Sequence, residues 1–161
     1  MKRVIVKSVF DAFEYVMQHY YPAGLKEMVE RSDSYVVISI QDSHTGGFGF
    51  TLTENRYCMG VLTLLFDDIV REVDGTVLFS EEMAAQIIQF IREHRTVDTL
   101  LVHCYAGQSR SLAVGAFAVK MLGGDNSAYF KHYNPNMYVY KVLEDSLRNA
   151  VMHTASEKEE F

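Results

Sequence analysis

The chain has no tryptophan, only two prolines and only two cysteines. Cys58 and Cys104 are too few for the disulfide framework that staples small secreted domains. The six histidines are scattered, and no His/Cys spacing matches a zinc motif, so no metal and no other cofactor is expected. Basic residues form no cluster and the net charge is −6, which argues against nucleic acid or an anionic membrane as the main partner. No apolar run approaches the length of a membrane span, and the N-terminus lacks the basic start and apolar core of a signal peptide. The expected compartment is therefore a reducing cytoplasm, where a free thiol persists. No internal repeat or low-complexity linker divides the chain. At 161 residues, 48% hydrophobic, it is long and apolar enough for one domain with one core.

What is present reads as strands alternating with helices. Arg3–Val6 is a first strand. Phe10, Phe13, Val16, Met17 and Tyr20 then recur at helical spacing. The β-branched run Tyr35–Ile40 predicts a buried strand, and Val61–Phe66 another. Between them, Asp42–Asn55 carries Gly46, Gly47 and Gly49 and reads as a flexible loop. Ser80 is a good N-cap, followed by Glu81 and Glu82 where the helix dipole favours them, and then by the stripe Met83, Ala84, Ile87, Ile88, Ile91. Leu100–Val102 is the last core strand. Leu112–Met121 is a helix apolar on nearly every side, ended by Gly123-Gly124. Asp125 is placed to cap a short helix through Phe130. Asn134-Pro135 predicts an N-cap and first helical position for a helix to about Arg148. The expected fold class is α/β: a single domain over residues 1–153 with a mostly parallel central sheet of four to five strands flanked by helices. The polar, acidic residues 154–161 are expected to form a flexible tail.

The chemistry concentrates in His103-Cys104-Tyr105-Ala106-Gly107-Gln108-Ser109-Arg110-Ser111, between the last strand and the apolar helix. A cysteine there faces a helix N-terminus, whose free N–H groups and dipole favour a thiolate over a thiol. The backbone of Tyr105, Ala106, Gly107, Gln108 and Ser109 can curl its N–H groups into a nest around phosphoryl oxygens. Gly107 permits the necessary backbone conformation. Arg110 adds a planar fork for two of those oxygens. Ser111 can donate a hydroxyl hydrogen bond to the Cys104 sulfur. Ligands of parallel α/β sheets bind beyond the carboxyl ends of the strands, and both Cys104 and the pair Asp67-Asp68 lie at such ends. A departing ester oxygen needs a proton, and Asp67, Asp68, Glu72 and Asp74 are the carboxylates within reach of that edge.

The run HCYAGQSRS, a cysteine and an arginine separated by five residues, resembles the signature loop of the cysteine-dependent protein tyrosine phosphatases. It is most similar to the H-C-x-A-G-x-S-R-S form of the dual-specificity phosphatases and related small enzymes. The likeness is strong over those residues, weaker but coherent from about Met59 to Leu147, and thin before Ser34. It implies a phosphatase working through a cysteinyl-phosphate intermediate. Cys104 is then the nucleophile, Arg110 and the loop residues Tyr105–Ser109 bind the phosphoryl group, and Ser111 supports the sulfur. An aspartate just past the neighbouring strand is the general acid. The second residue of Phe66-Asp67-Asp68-Ile69 matches that position better, so Asp68 is favoured, Asp67 is next and Asp74 is third. The resemblance gives His103 a supporting role, not an acid–base one.

One departure from the family pattern stands out. Gln108 occupies a position where an apolar or aromatic residue is commoner. The asparagine or glutamine that orients the hydrolytic water in the resembled enzymes has Asn134 and Asn136 as candidates, with Asn134 the better fit to a helix cap. Glu54-Asn55-Arg56-Tyr57 echoes a phosphotyrosine-recognition motif of larger phosphatases but lies too near Cys104 in sequence to serve as one. The expected substrate is a phosphorylated protein or peptide, phosphotyrosine first, with phosphoserine and phosphothreonine as further candidates. Two alternatives are a phosphate-binding module without turnover and a phosphatase for phosphoinositides or RNA 5′ phosphates. Polyanions of the latter kind call for lysines beside the cradle, and Tyr105, Ala106, Gln108 and Ser109 supply none.

Overall fold

A computed structural model describes residues 1–24, 31–44 and 52–159, with side chains through residue 152. The elements run β1 (Arg3–Ser8), α1 (Val9–Tyr20), β2 (Tyr35–Gln41), β3 (Cys58–Leu65), α2 (Glu81–Glu93), β4 (Thr99–Cys104), α3 (Arg110–Met121), α4 (Ser127–His132) and α5 (Met137–Glu159). The four strands form one sheet in the order β1-β4-β2-β3, and every pair is parallel. This is the expected α/β class.

Side-chain alternation explains why β2 and β4 occupy the centre. Val36, Ile38 and Ile40 of β2, with Leu100 and Val102 of β4, face a core shared with α2, α3 and α5. Tyr35, Val37 and Leu101 point the other way, against Ala12, Val16 and Tyr20 of α1. Strands covered on both faces are apolar along most of their length, so β2 and β4 are buried at every residue and largely hydrophobic. The α2 stripe is buried as expected at Ala84, Ile87, Ile88 and Ile91, and Ser80 accepts a hydrogen bond from Met83 N–H as its cap. Helix α3 is buried from Arg110 to Ala118. It ends where Gly123 adopts φ +86° and Gly123 and Gly124 donate back to Lys120 and Val119 carbonyls.

Several boundaries differ from the sequence reading. β3 starts at Cys58, not Val61, because Asn55 Oδ1 accepts from the Tyr57 and Cys58 N–H groups and turns the chain into the strand. That turn places Glu54–Tyr57 at the amino end of β3, opposite the edge that carries Cys104. The N-cap of α5 is Asn136, not Asn134: its Oδ1 accepts from Val139 N–H at 3.1 Å, and Asn134 lies outside the helix. α5 also continues past Arg148 to Glu159. The N-cap of α4 is Asn126, not Asp125; Asp125 accepts from Ser127 N–H one residue ahead of the cap, and the helix runs to His132. The expected glycine-rich loop lies in part, at 45–51, outside the described residues, and so do the side chains of the expected tail.

Candidate active site

The signature loop spans the gap between the end of β4 and the start of α3, so Cys104 is the last strand residue and Arg110 the first helical one. Gly107 makes this short connection possible. Its φ is +70°, and a Cβ built on it would lie 2.5 Å from Ser8 N and 2.6 Å from Lys7 C, inside the β1 backbone. Tyr105 O accepts from Val9 N–H at 3.2 Å, tying the other side of the loop to the start of α1.

Cys104 Sγ sits at the base of this loop, 2% exposed. It accepts from Gly107 N–H at 3.2 Å and lies 3.0 Å from Ser111 Oγ, whose residue is fully buried. His103, 1% exposed, contacts Cys104 O at 3.4 Å through Nδ1; burial pushes its imidazole pKa down and so favours the neutral ring.

Arg110 is 6% exposed and held on one edge. Its Nη1 donates to Phe66 O at 2.8 Å and pairs with Asp42 Oδ1 at 2.7 Å. Neither contact uses Nε or Nη2, the edge left for two oxygens of a bound oxyanion. Sequence reasoning assigned Asp42 to a loop and gave it no role. The pairing joins residues far apart in the chain, and a lone aspartate after a strand carries no local signal for it.

The two candidate acids are separated by their surroundings. Asp67 is buried and turned toward the loop after β2. Its carboxylate accepts from Ser43 N–H at 3.1 Å, from the Ser43 hydroxyl, from Val77 N–H at 2.8 Å and from His44 Nδ1 at 3.3 Å. Burial pushes its pKa up. The hydrogen bonds from Ser43, Val77 and His44 outweigh this and hold the carboxyl at about 2. Such a group is a fixed anion and a poor proton donor at neutral pH. Asp68 is exposed and faces the signature loop instead: its Oδ1 accepts from Ser109 Oγ at 2.8 Å and from Asn136 Nδ2 at 2.9 Å. Asp74 lies in the turn before Gly75 at the tip of the same loop. Asp67 N–H also donates to Val77 O, so this loop is clamped at its base, with Asp68 already docked on the signature loop.

Gln108 is exposed and lines a crevice of about 380 Å³ with Lys7, Asp11, Tyr129 and Tyr133. Tyr105, 53% exposed, meets Phe10, 63% exposed, in an edge-to-face pair at 6.4 Å. Among the described residues no cluster of three or more His, Cys, Asp or Glu could hold a metal ion. No described helix is long and apolar enough to cross a membrane.

No family model and no curated protein matches the sequence. Solved structures do. DUSP15 aligns over 100% of this chain and 94% of its own at 16% identity and a TM-score of 0.52. PTPMT1 aligns over 95% and 94% at 15% identity and a TM-score of 0.52, and a second PTPMT1 structure is a complex with PI(5)P. Human DUSP28 aligns over 93% and 94% at 16% identity and a TM-score of 0.50. With four parallel strands, helices on both faces and a cysteine-to-arginine loop at the sheet's carboxyl edge, the chain has the fold of the small dual-specificity-type phosphatases.

Proposed function

We propose that the chain is a phosphatase that transfers a phosphoryl group to Cys104 and then to water, acting on phosphotyrosine in a protein or peptide. The observation that carries this reading is the convergence on one loop of a sulfur held by Gly107 N–H and Ser111 Oγ, a half-engaged arginine fork and an exposed aspartate. Cys104 Sγ attacks phosphorus while Asp68 gives its proton to the departing tyrosyl oxygen: the S–P bond forms as the P–O bond breaks. The loop N–H groups of Tyr105–Ser109 and the Nε/Nη2 edge of Arg110 take the phosphoryl oxygens, whose charge they stabilise most in the transition state. Water then attacks the phosphocysteine. Asp68, now ionised, takes its proton, and the Ser111 hydroxyl stabilises the leaving thiolate.

The rim favours an aryl phosphate. Tyr105 and Phe10 offer an aromatic edge beside the loop. The loop after β3 carries Asp68, Glu72 and Asp74 against Arg71 as its one Lys or Arg. A phosphoinositide is the second reading, favoured by the PTPMT1 complex with PI(5)P; a carboxylate-rich mouth would repel its additional phosphates. Phosphate release from a phosphotyrosine peptide and from PI(5)P vesicles, each run with Cys104→Ser as blank, separates the readings. Cys104-dependent release from the peptide at higher kcat/KM is expected. Faster release from the vesicles would transfer the assignment to the lipid, and Cys104-independent release from both would end the proposal.

A further inference from the structure

Asn136 makes more hydrogen bonds than a helix cap needs. Its Oδ1 accepts from Val139 N–H at 3.1 Å, while Nδ2 donates to Asp68 Oδ1 at 2.9 Å and to Ile69 O at 3.1 Å. Its backbone N–H donates to Ser109 O at 3.2 Å. The side chain is 5% exposed and every polar atom on it is engaged, so it is not placed to orient a hydrolytic water. The amide orientation is dictated by its partners: turned over, its oxygen would face a carboxylate and a carbonyl, and its NH2 would face an N–H.

We propose that Asn136 is the positioning residue that decides which oxygen of Asp68 carries the proton. This rests on Asp68 being the general acid, as proposed above. An amide NH2 can only donate, so Asp68 Oδ1 must present lone pairs to it in both protonation states. Ser109 Oγ donates to the same oxygen at 2.8 Å. With two donors on Oδ1, the proton is confined to Oδ2. That proton passes from Oδ2 to the ester oxygen as the P–O bond breaks, and Oδ2 receives a proton from the attacking water when the S–P bond breaks. By bonding Asp68 and Ile69 of the acid loop and Ser109 of the signature loop at once, Asn136 also fixes the distance between acid and cradle. Proton transfer is steeply sensitive to that distance.

The test is Asn136→Ser. Serine caps helices about as well as asparagine but is too short to reach Asp68, so the cap is kept and the Nδ2 donor is lost. Two substrates are compared: an activated aryl phosphate such as p-nitrophenyl phosphate, which needs little proton assistance, and phenyl phosphate, which needs much. Asp68→Asn should slow phenyl phosphate about a hundredfold more than the activated ester. Asn136→Ser should show the same selectivity at about tenfold, and adding it to Asp68→Asn should cost nothing further. Ser109→Ala, which removes the second donor and no cap bond, should show the same selective loss if Asn136→Ser fails to fold. Equal slowing of both esters by the folded Asn136 variant, or by Ser109→Ala in its place, overturns the proposal, as does a loss that adds to that of Asp68→Asn. If Asp68→Asn itself shows no leaving-group selectivity, the acid assignment fails first and the positioning role fails with it.

Discussion

Asp67 and Asp68 are neighbours of identical chemistry in opposite surroundings. They leave an extended strand end, so their side chains point apart: one into a set of donors on the loop after β2, the other toward the signature loop. For Asp67, a pKa lowered from 3.8 to about 2 in the folded state means that its ionised form stabilises the fold. That stabilisation, about 2 kcal/mol, is fully present above the unfolded pKa and is lost as pH falls from about 4 toward 2. Asp67→Asn should therefore lower the unfolding free energy by about that amount near neutrality. The gap between wild type and variant in urea titrations should close as pH falls through that window. A gap independent of pH would show that the carboxylate's charge is not what holds the loop. The phosphatase resemblance pointed to Asp68 over Asp67 from sequence. The contrast in their surroundings was not legible there, since Ser43, His44 and Val77 reach Asp67 through tertiary placement alone.

At the scale of elements, the parts set by local pattern were legible and those set by cross-chain contacts were not. Two-sided apolar runs marked β2 and β4, a serine before two glutamates marked the start of α2, and paired glycines marked the end of α3. The start of α5 differs from the sequence reading because Asn134 and Asn136 flank the same proline, and the contacts that select Asn136 come from Asp68 and Ser109, far off in sequence. Its end lies well past Arg148 because residues 149–159 hold no glycine or proline to stop the helix. The signature loop was legible as a motif, but its dependence on β1 was not. Gly107 packs so closely on Lys7 and Ser8 that Gly107→Ala must either strain its left-handed backbone or push the loop off β1. The expected cost is about 2 kcal/mol or more, together with a fall in kcat/KM because the N–H groups around Cys104 lose alignment. Thermal unfolding and a phosphate-release assay check both. An alanine variant with native Tm and activity would contradict the packing described.

For the whole molecule, the proposed function makes the net charge of −6 a determinant of how substrates approach. Phosphopeptides with basic flanks should react at higher kcat/KM than acidic ones at low salt, and the difference should shrink as ionic strength rises. A preference that does not respond to salt would place recognition in contacts other than charge. In the proposed mechanism fold, cradle and acid serve a single event, the formation of a covalent bond between phosphorus and the Cys104 sulfur, and that bond is open to observation. Rapid mixing with p-nitrophenyl phosphate, quenching in denaturant and intact-protein mass spectrometry should reveal a species heavier by one phosphoryl group. Asp68→Asn should accumulate more of it because water attack is slowed, and fragmentation should place the added mass on Cys104. A phosphoryl adduct on any other residue, or phosphate release at full rate from Cys104→Ser, would contradict the account.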